Sequence, residues 1–339
     1  MIRLSFFTDL HLRGQGPISR KDDYPETILG KLKDCIQHAS ESDLALFGGD
    51  FCHTYRLNAD QVKEKAIHIF DEHLKVPFLY TWGQHDLYGK DYGTRHLSTQ
   101  AFIFRQASRV IENIEEIPTD KDLVKDIQGL KIGFLACPNS SDPIKWSMRV
   151  SSRKRPKDID IRVVLVHHLL MDKLDEHYGI DLREFKTEND GKRSIDVVLC
   201  GDLHQGFNPT ITDIGTLFIN PGSLARTQKN EYDVDRPIRG VDILIDPKTK
   251  KYKWEMWNVE SALTQEEVFK EGAPFIDEKV GVSFDDKEVT EAEFEEVAKS
   301  LANIGISRID VWDMLEKRAI EVGLPDDTIT YILSKRPSA

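Results

Sequence analysis

Five short clusters of Asp and His punctuate the first two-thirds of this sequence: Asp9-Leu10-His11, Gly49-Asp50, Gly83-Gln84-His85-Asp86, His167-His168 and Gly201-Asp202-Leu203-His204. Each follows a short apolar run. Carboxylates and imidazoles together form a ligand set for Mn²⁺, Fe or Zn²⁺. Two such ions ~3.5–4 Å apart can clamp the attacking and leaving oxygens of a phosphoryl displacement. A lone Asp-x-His after a strand is more often a turn capped by its Asp, and Gly48, Gly49 and Gly83 alone read as tight-turn residues. Turn chemistry does not explain why Asp and His recur beside them at five strand ends.

The elements around the clusters supply a way to bring them together. Ile2–Thr8, Leu44–Phe47 and Val76–Trp82 read as buried strands, and Thr27–Ala39 and Ala59–Leu74 carry helical apolar spacing. A β-α-β-α-β order implies parallel strands with helical crossovers. Lys131–Cys137, Ile161–Val166 and Val197–Cys200 are further apolar runs. The carboxyl ends of parallel strands line one crevice, so clusters at those ends converge. From Thr210 the pattern changes to antiparallel strands, with Val241–Ile245 and Tyr252–Val259 flanking the turn-rich Asp246–Lys250 as a hairpin.

The whole chain has 339 residues, 40% hydrophobic and 31% charged, enough for a large α/β domain and an appendage. No apolar run approaches the ~20 residues of a membrane helix. The N-terminus, broken by Asp9 and lacking a small-residue cleavage site, does not read as a signal peptide. Four scattered cysteines (Cys35, Cys52, Cys137 and Cys200) without a CxxC pair suit free thiols in a reducing cytoplasm. The net charge of -12 is uneven: residues 260–339 hold 19 acidic and 9 basic residues, the rest 39 and 37. A nearly neutral body can still hold a local basic patch that meets phosphates.

These boundaries give a domain over residues 1–260, an acidic linker over 261–288 and a helical tail over 289–339. In the tail, Thr290 and Glu293 form a capping box ahead of Phe294, Val297, Ala298, Leu301 and Ile304. A second helix runs from Ser307, with Trp312, Leu315, Ala319 and Val322 on one face before Gly323. Such a tail can pack on itself or dock on a partner.

The order DLH, GD, GQHD, HH and GDLH resembles the DxH, GD, GNH(D/E), H, GHxH signature of calcineurin-like metallophosphoesterases. Within that family, Phe218-Ile219-Asn220-Pro221-Gly222-Ser223-Leu224-Ala225-Arg226 and Arg239-Gly240-Val241 are similar to stretches of SbcD-type DNA nucleases. The resemblance covers roughly residues 1–260. It implies a four-layer αββα sandwich with a C-terminal helical appendage. It also implies Mn²⁺-dependent exo- and endonuclease action on DNA ends, by hydrolysis with metal-activated water. A homodimer and an SbcC-type coiled-coil ATPase partner, docked by the tail, complete the expectation, with Mg²⁺ as the alternative ion.

Carried over by position, the resemblance puts Asp9, His11, Asp50 and His204 on metal 1. Asp50 bridges to metal 2, which also takes Gln84, His167 and Asp202. His85 stands at the scissile phosphate as donor to the leaving oxygen, with Asp86 orienting or charging it. Two positions depart from the family: Gln84 stands for Asn and Asp202 for His. Both fall on metal 2, and an added carboxylate favours hard Mn²⁺ or Mg²⁺ and a weaker second site.

Several other residues admit two readings. His168 competes with His167 as the ligand, with the strand-terminal His167 preferred. His53, His96 and His177 have no motif context and read as surface or loop residues. Met148–Lys157 holds five basic residues in ten; it is either a solvated loop or a phosphate-backbone contact through Arg153, Lys154 and Arg155, joined by Arg226. Tyr252, Trp254 and Met256 read as core before base stacking. A stand-alone small-molecule phosphodiesterase or phosphatase is the alternative activity. A non-catalytic scaffold is the third reading, disfavoured by the retained His85-Asp86 pair.

Overall fold

The computed structural model describes residues 1–273 apart from 18, 110–112, 140, 154, 172–178 and 231–235. Lys154, His177, the linker beyond 273 and the helical tail lie outside the described residues. The first compact unit is Met1–Lys270.

Two six-stranded mixed sheets dominate this unit. The first holds β1 (Ile2–Phe7), β2 (Leu44–Phe47), β3 (Phe78–Tyr80) and β4 (Ile114–Glu116) in parallel, with β11 (Arg239–Ile245) antiparallel to β1 and β12 (Tyr252–Asn258) outside it. The second runs β9 (Phe207–Ile211), β10 (Leu217–Asn220), β8 (Val197–Gly201), β7 (Ile161–His167), β6 (Leu130–Cys137) and β5 (Leu123–Ile127). Here β6, β7, β8 and β10 are parallel and the two edges antiparallel. The antiparallel pattern expected after Thr210 is therefore interrupted: β10 pairs parallel with β8 as well as antiparallel with β9.

Strands buried on both faces need largely apolar runs, and the central strands have them, interrupted by Arg3 and Ser5 in β1 and by Arg162 in β7. Alternate side chains divide between layers. Leu4 and Phe6 of β1 meet Phe134, Val163, Leu165 and Leu199 of the other sheet in a shared inner core. Phe7 points the other way, into a core with α1 (Tyr24–Ala39), α2 (Asp60–His73) and α3 (Thr99–Ala107). The outer face of the second sheet packs Val164, Val166 and Val198 against Trp146 and Val150 of α4 (Pro143–Ser152). The fold is thus a four-layer αββα sandwich. Tyr252, Trp254 and Met256 pack on the inner core.

The body extends past residue 260. A one-turn helix, α5 (Gln265–Val268), is capped by Thr264 and Glu267. Val268 and Phe269 are buried, and Lys21 N–H donates to the Val268 carbonyl. Residues 261–270, expected as linker, pack on the sandwich because these two apolar side chains gain more by burial than by exposure.

Candidate metal centre

The carboxyl ends of β1, β2, β3, β7 and β8 bring all five clusters to one edge of the sandwich. The backbone there is unusual. Asp9, His11, Asp50 and Asp202 have φ of 55°, 49°, 55° and 77°, the left-handed region that side chains other than Gly rarely adopt. Such a residue costs on the order of 1–3 kcal/mol and persists only when its surroundings fix it. Asp9 N–H donates to the Gly49 carbonyl at 3.1 Å and His11 N–H to the Asp50 carbonyl at 3.0 Å. Asp202 N–H donates to the Asp9 carboxylate at 3.2 Å, and the Ser223 hydroxyl to the Asp9 carbonyl at 2.9 Å. The Pro221–Arg226 stretch is therefore a brace under the first cluster. Gly83 is required for space: a Cβ there would collide with the Asp50 carboxylate.

Two groups of side chains converge. Ligand atoms of Asp9, His11 and His204 lie within 4.8 Å of one another, as do those of Asp9, Asp50 and His167. Asp50 Oδ2 stands 3.2 Å from His167 Nε2 and 3.8 Å from His11 Nε2, between the groups. His11 and His204 face each other Nε2 to Nε2 at 3.0 Å. His167 Nδ1 lies 2.8 Å from the Gly48 carbonyl. That carbonyl can only accept, so Nδ1 carries the proton and Nε2 turns to the carboxylates. His168 turns away, its Nε2 3.0 Å from the Pro138 carbonyl. The structure thus places His167, not His168, with Asp9 and Asp50.

The sealed groups shift one another. Asp9, His11, Asp50 and His167 are fully buried. Burial raises Asp9 and drives His11 well below the usual imidazole range. Burial also opposes charge on His167 and Asp50, yet their mutual attraction wins, raising the imidazole and lowering the carboxylate. Asp50 Oδ2, His167 Nε2, Gln84 Oε1 and His11 Nδ1 are all buried without a hydrogen-bond partner. Buried polar atoms are otherwise nearly always satisfied. Four orphans on residues of one crevice, mixing carboxylate, amide oxygen and imidazole, fit divalent metal ions.

His85 and Asp86 turn to different surroundings. His85 N–H donates to Asp50 Oδ1 at 3.0 Å, and its half-exposed ring stacks on His53 with centroids 5.0 Å apart. Asp86 is fully buried and accepts three backbone N–H groups, from Phe51 at 3.3 Å, Cys52 at 3.1 Å and Gly83 at 3.2 Å. Burial and then the Asp50 charge push Asp86 up to about 8, against the Cys52 and Gly83 N–H groups. It is a positioning residue that ties the β2 and β3 loops together, because the 3₁₀ turn Gln84–Asp86 sends neighbouring side chains in different directions. Asp86→Ala is expected to cost roughly 3 kcal/mol of stability, since three N–H groups lose their acceptor. Urea unfolding checks this; unchanged stability with a displaced pH–rate profile would instead mean that Asp86 charges His85.

His53, read from sequence as a loop residue, joins the site: its ligand atoms lie within 4.8 Å of those of His11 and His85. Burial lowers it to about 2. The available signal was its place three residues after Asp50, on a loop from a cluster-bearing strand end.

Among the described basic residues, Arg226 and Arg155 are engaged by the protein itself. Arg226 is 4% exposed and donates to the Leu263 and Arg236 carbonyls. Arg155 pairs with Asp196 at 2.6 Å and donates to the Asp160 carbonyl, before the start of β7. The seven residues of β7 rise roughly 3.3 Å each, putting His167 about 20 Å from that end. Arg153 is exposed and donates to the Asp120 carbonyl. Arg226→Ala is expected to lower stability by roughly 2 kcal/mol through the lost carbonyl contacts. The salt dependence of DNA binding should not change, whereas a phosphate contact would reduce its slope by about one.

The family match agrees with this geometry. Residues 2–206 match the family described as calcineurin-like phosphoesterase. No curated protein matches the sequence significantly. The chain is similar to the crystal structure of a 5'-nucleotidase precursor from Thermus thermophilus, at 14% identity and a TM-score of 0.44, over 79% of this chain and 56% of that one. The matched family segment holds every cluster from Asp9 to His204, and the chain belongs to the calcineurin-like phosphoesterase family of metal-dependent phosphoester hydrolases.

Proposed function

We propose that the chain is the nuclease subunit of an SbcCD-like complex, a phosphodiester hydrolase that processes DNA ends with two Mn²⁺ ions. One observation carries the hydrolase reading: Asp50 Oδ2, His167 Nε2 and Gln84 Oε1 are buried without a hydrogen-bond partner and are carried on three strand ends of one crevice. The similarity of Phe218–Arg226 to SbcD-type nucleases supports DNA as the substrate. This stretch also braces the first cluster, where the Ser223 hydroxyl donates to the Asp9 carbonyl.

In this reading Asp9, His11, Asp50 and His204 hold one ion, and Asp50, Gln84 and His167, with Asp202 beside them, hold the second. When bound, the ions supply Lewis acidity to the phosphoryl oxygens and the attacking water. His167 keeps its donor lone pair inward because Nδ1 is engaged by Gly48. His85, 27% exposed at the mouth, donates to the leaving oxygen. Stacking on His53 and the backbone bond to Asp50 hold it there.

The proposal includes a homodimer, a coiled-coil ATPase partner met by the tail, and a cytoplasmic site of action. No described helix is long and apolar enough to cross a membrane, and all four cysteines are buried and free. Chelated protein reloaded with Mn²⁺ should cut labelled duplex DNA, with hydrolysis rising on addition of an SbcC-type ATPase. Turnover of bis-p-nitrophenyl phosphate or nucleoside monophosphates with no cleavage of duplex or single-stranded DNA would favour the small-molecule alternative. A chain ended after Lys270 should keep basal hydrolysis and lose the ATPase in a pull-down; retained ATPase would refute docking by the tail.

A further inference from the structure

The two positions that depart from the family pattern touch each other. Gln84 Nε2 donates to Asp202 Oδ1 at 2.6 Å. Asp202 is itself fixed: its N–H is held by the Asp9 carboxylate and its φ is 77°. Gln84 Oε1, the other end of the amide, is buried without a partner. Among the described residues, neither tight carboxylate–imidazole group around Asp9 includes Asp202.

These contacts have a directional consequence. The two ends of a primary amide are nearly equal in shape and opposite in hydrogen-bonding character. Only a fixed neighbour decides which end faces the crevice. A carboxylate accepts and does not donate, so it takes the NH₂ end and leaves the oxygen free. A histidine can do either and would not enforce the choice. Glutamine also has one more rotatable bond than asparagine, so its oxygen needs an anchor that the shorter side chain does not. Resting on the two-ion reading above, we propose that Gln84 and Asp202 form one coupled element at the second cation site. Gln84 Oε1 is the ligand, and Asp202 is a positioning residue that turns it toward the ion. The second substitution thereby compensates the first.

Mn²⁺ binding to the full chain, followed by calorimetry and by the loss of the free-ion electron paramagnetic resonance signal, tests this without reference to turnover. Four proteins form a cycle: wild type, Gln84→Ala, Asp202→Ala and the double variant. The through-space attraction of the Asp202 charge acts in both backgrounds and cancels. Loss of an orienting partner costs about 10–100-fold in metal affinity, so Asp202→Ala should weaken the second Mn²⁺ at least ~10-fold more in wild type than in Gln84→Ala. The first Mn²⁺, held by Asp9, His11, Asp50 and His204, serves as internal control for folding, and Asp202→Asn is the milder variant should Asp202→Ala fail to bind it. Rescue of Asp202→His by adding Gln84→Asn would support the coupling. Equal losses from Asp202→Ala in both backgrounds would make Asp202 an independent ligand and overturn the proposal. A wild-type chain that binds no second Mn²⁺ would overturn the two-ion reading itself.

Discussion

Asp50→Ala is expected to abolish hydrolysis of every phosphodiester offered, with a fall of at least ~10⁴-fold, while the protein stays folded. The reason is the number of roles meeting on one carboxylate. Asp50 Oδ2 stands between His167 at 3.2 Å and His11 at 3.8 Å, and Oδ1 accepts the His85 N–H at 3.0 Å. Its loss removes the anion that the two-ion reading assigns to both ions and the tether of the group at the mouth. Each factor of ten corresponds to about 1.4 kcal/mol of barrier, and Lewis-acid stabilisation is worth several kcal/mol by itself. The fold should survive because Asp50 belongs to none of the three apolar cores. Turnover of bis-p-nitrophenyl phosphate beside a thermal melt checks both halves. A folded variant with near-normal turnover would sink the two-metal reading.

The second large effect belongs to His85. His85→Ala should lose roughly 10²–10⁴-fold in turnover, the usual worth of a positioned proton donor, and should keep both metal and DNA. The ring is partly open to solvent, whereas His11 and His167 are sealed. It stacks on His53 and lies edge-on to His11, with centroids 5.0 Å apart in each case. That is a place for meeting a substrate oxygen at the mouth of the crevice. The same proximity offers another role, since the ligand atoms of His11, His53 and His85 lie within 4.8 Å of one another. Mn²⁺ titration of the variant separates the two. Retained stoichiometry with slow turnover fits the donor role; a lost ion would make His85 a ligand.

The architecture was legible because burial writes itself into strands. Leu44–Phe47 and Val197–Gly201 are sealed on both faces and so appear as unbroken apolar runs, while Ile2–Phe7 and Ile161–His167 stay mostly apolar around Arg3, Ser5 and Arg162. The strand ends were legible because Asp and His recur at five of them, which turn chemistry does not explain. What the sequence did not disclose is which backbone groups a side chain answers. Asp86 looks like a partner of His85 by adjacency, yet its carboxylate is taken by Phe51, Cys52 and Gly83. Arg226 carries a charge suited to phosphate and directs it to the carbonyls of Leu263 and Arg236. A basic run has no address until the strand after it is oriented: Arg155 stands before β7, and His167 ends it. His53 shows the converse, since a histidine outside any motif enters the site through the loop that carries Asp50.

The central claim is that the crevice at the strand ends hydrolyses phosphoesters only with divalent ions in it. The direct measurement is bis-p-nitrophenyl phosphate hydrolysis by chelated wild-type protein, before and after graded addition of Mn²⁺, with Asp50→Ala in parallel. The expected result is no turnover without metal, recovery as Mn²⁺ fills the wild type, and none in Asp50→Ala at any concentration. Full turnover by metal-free wild type would contradict it.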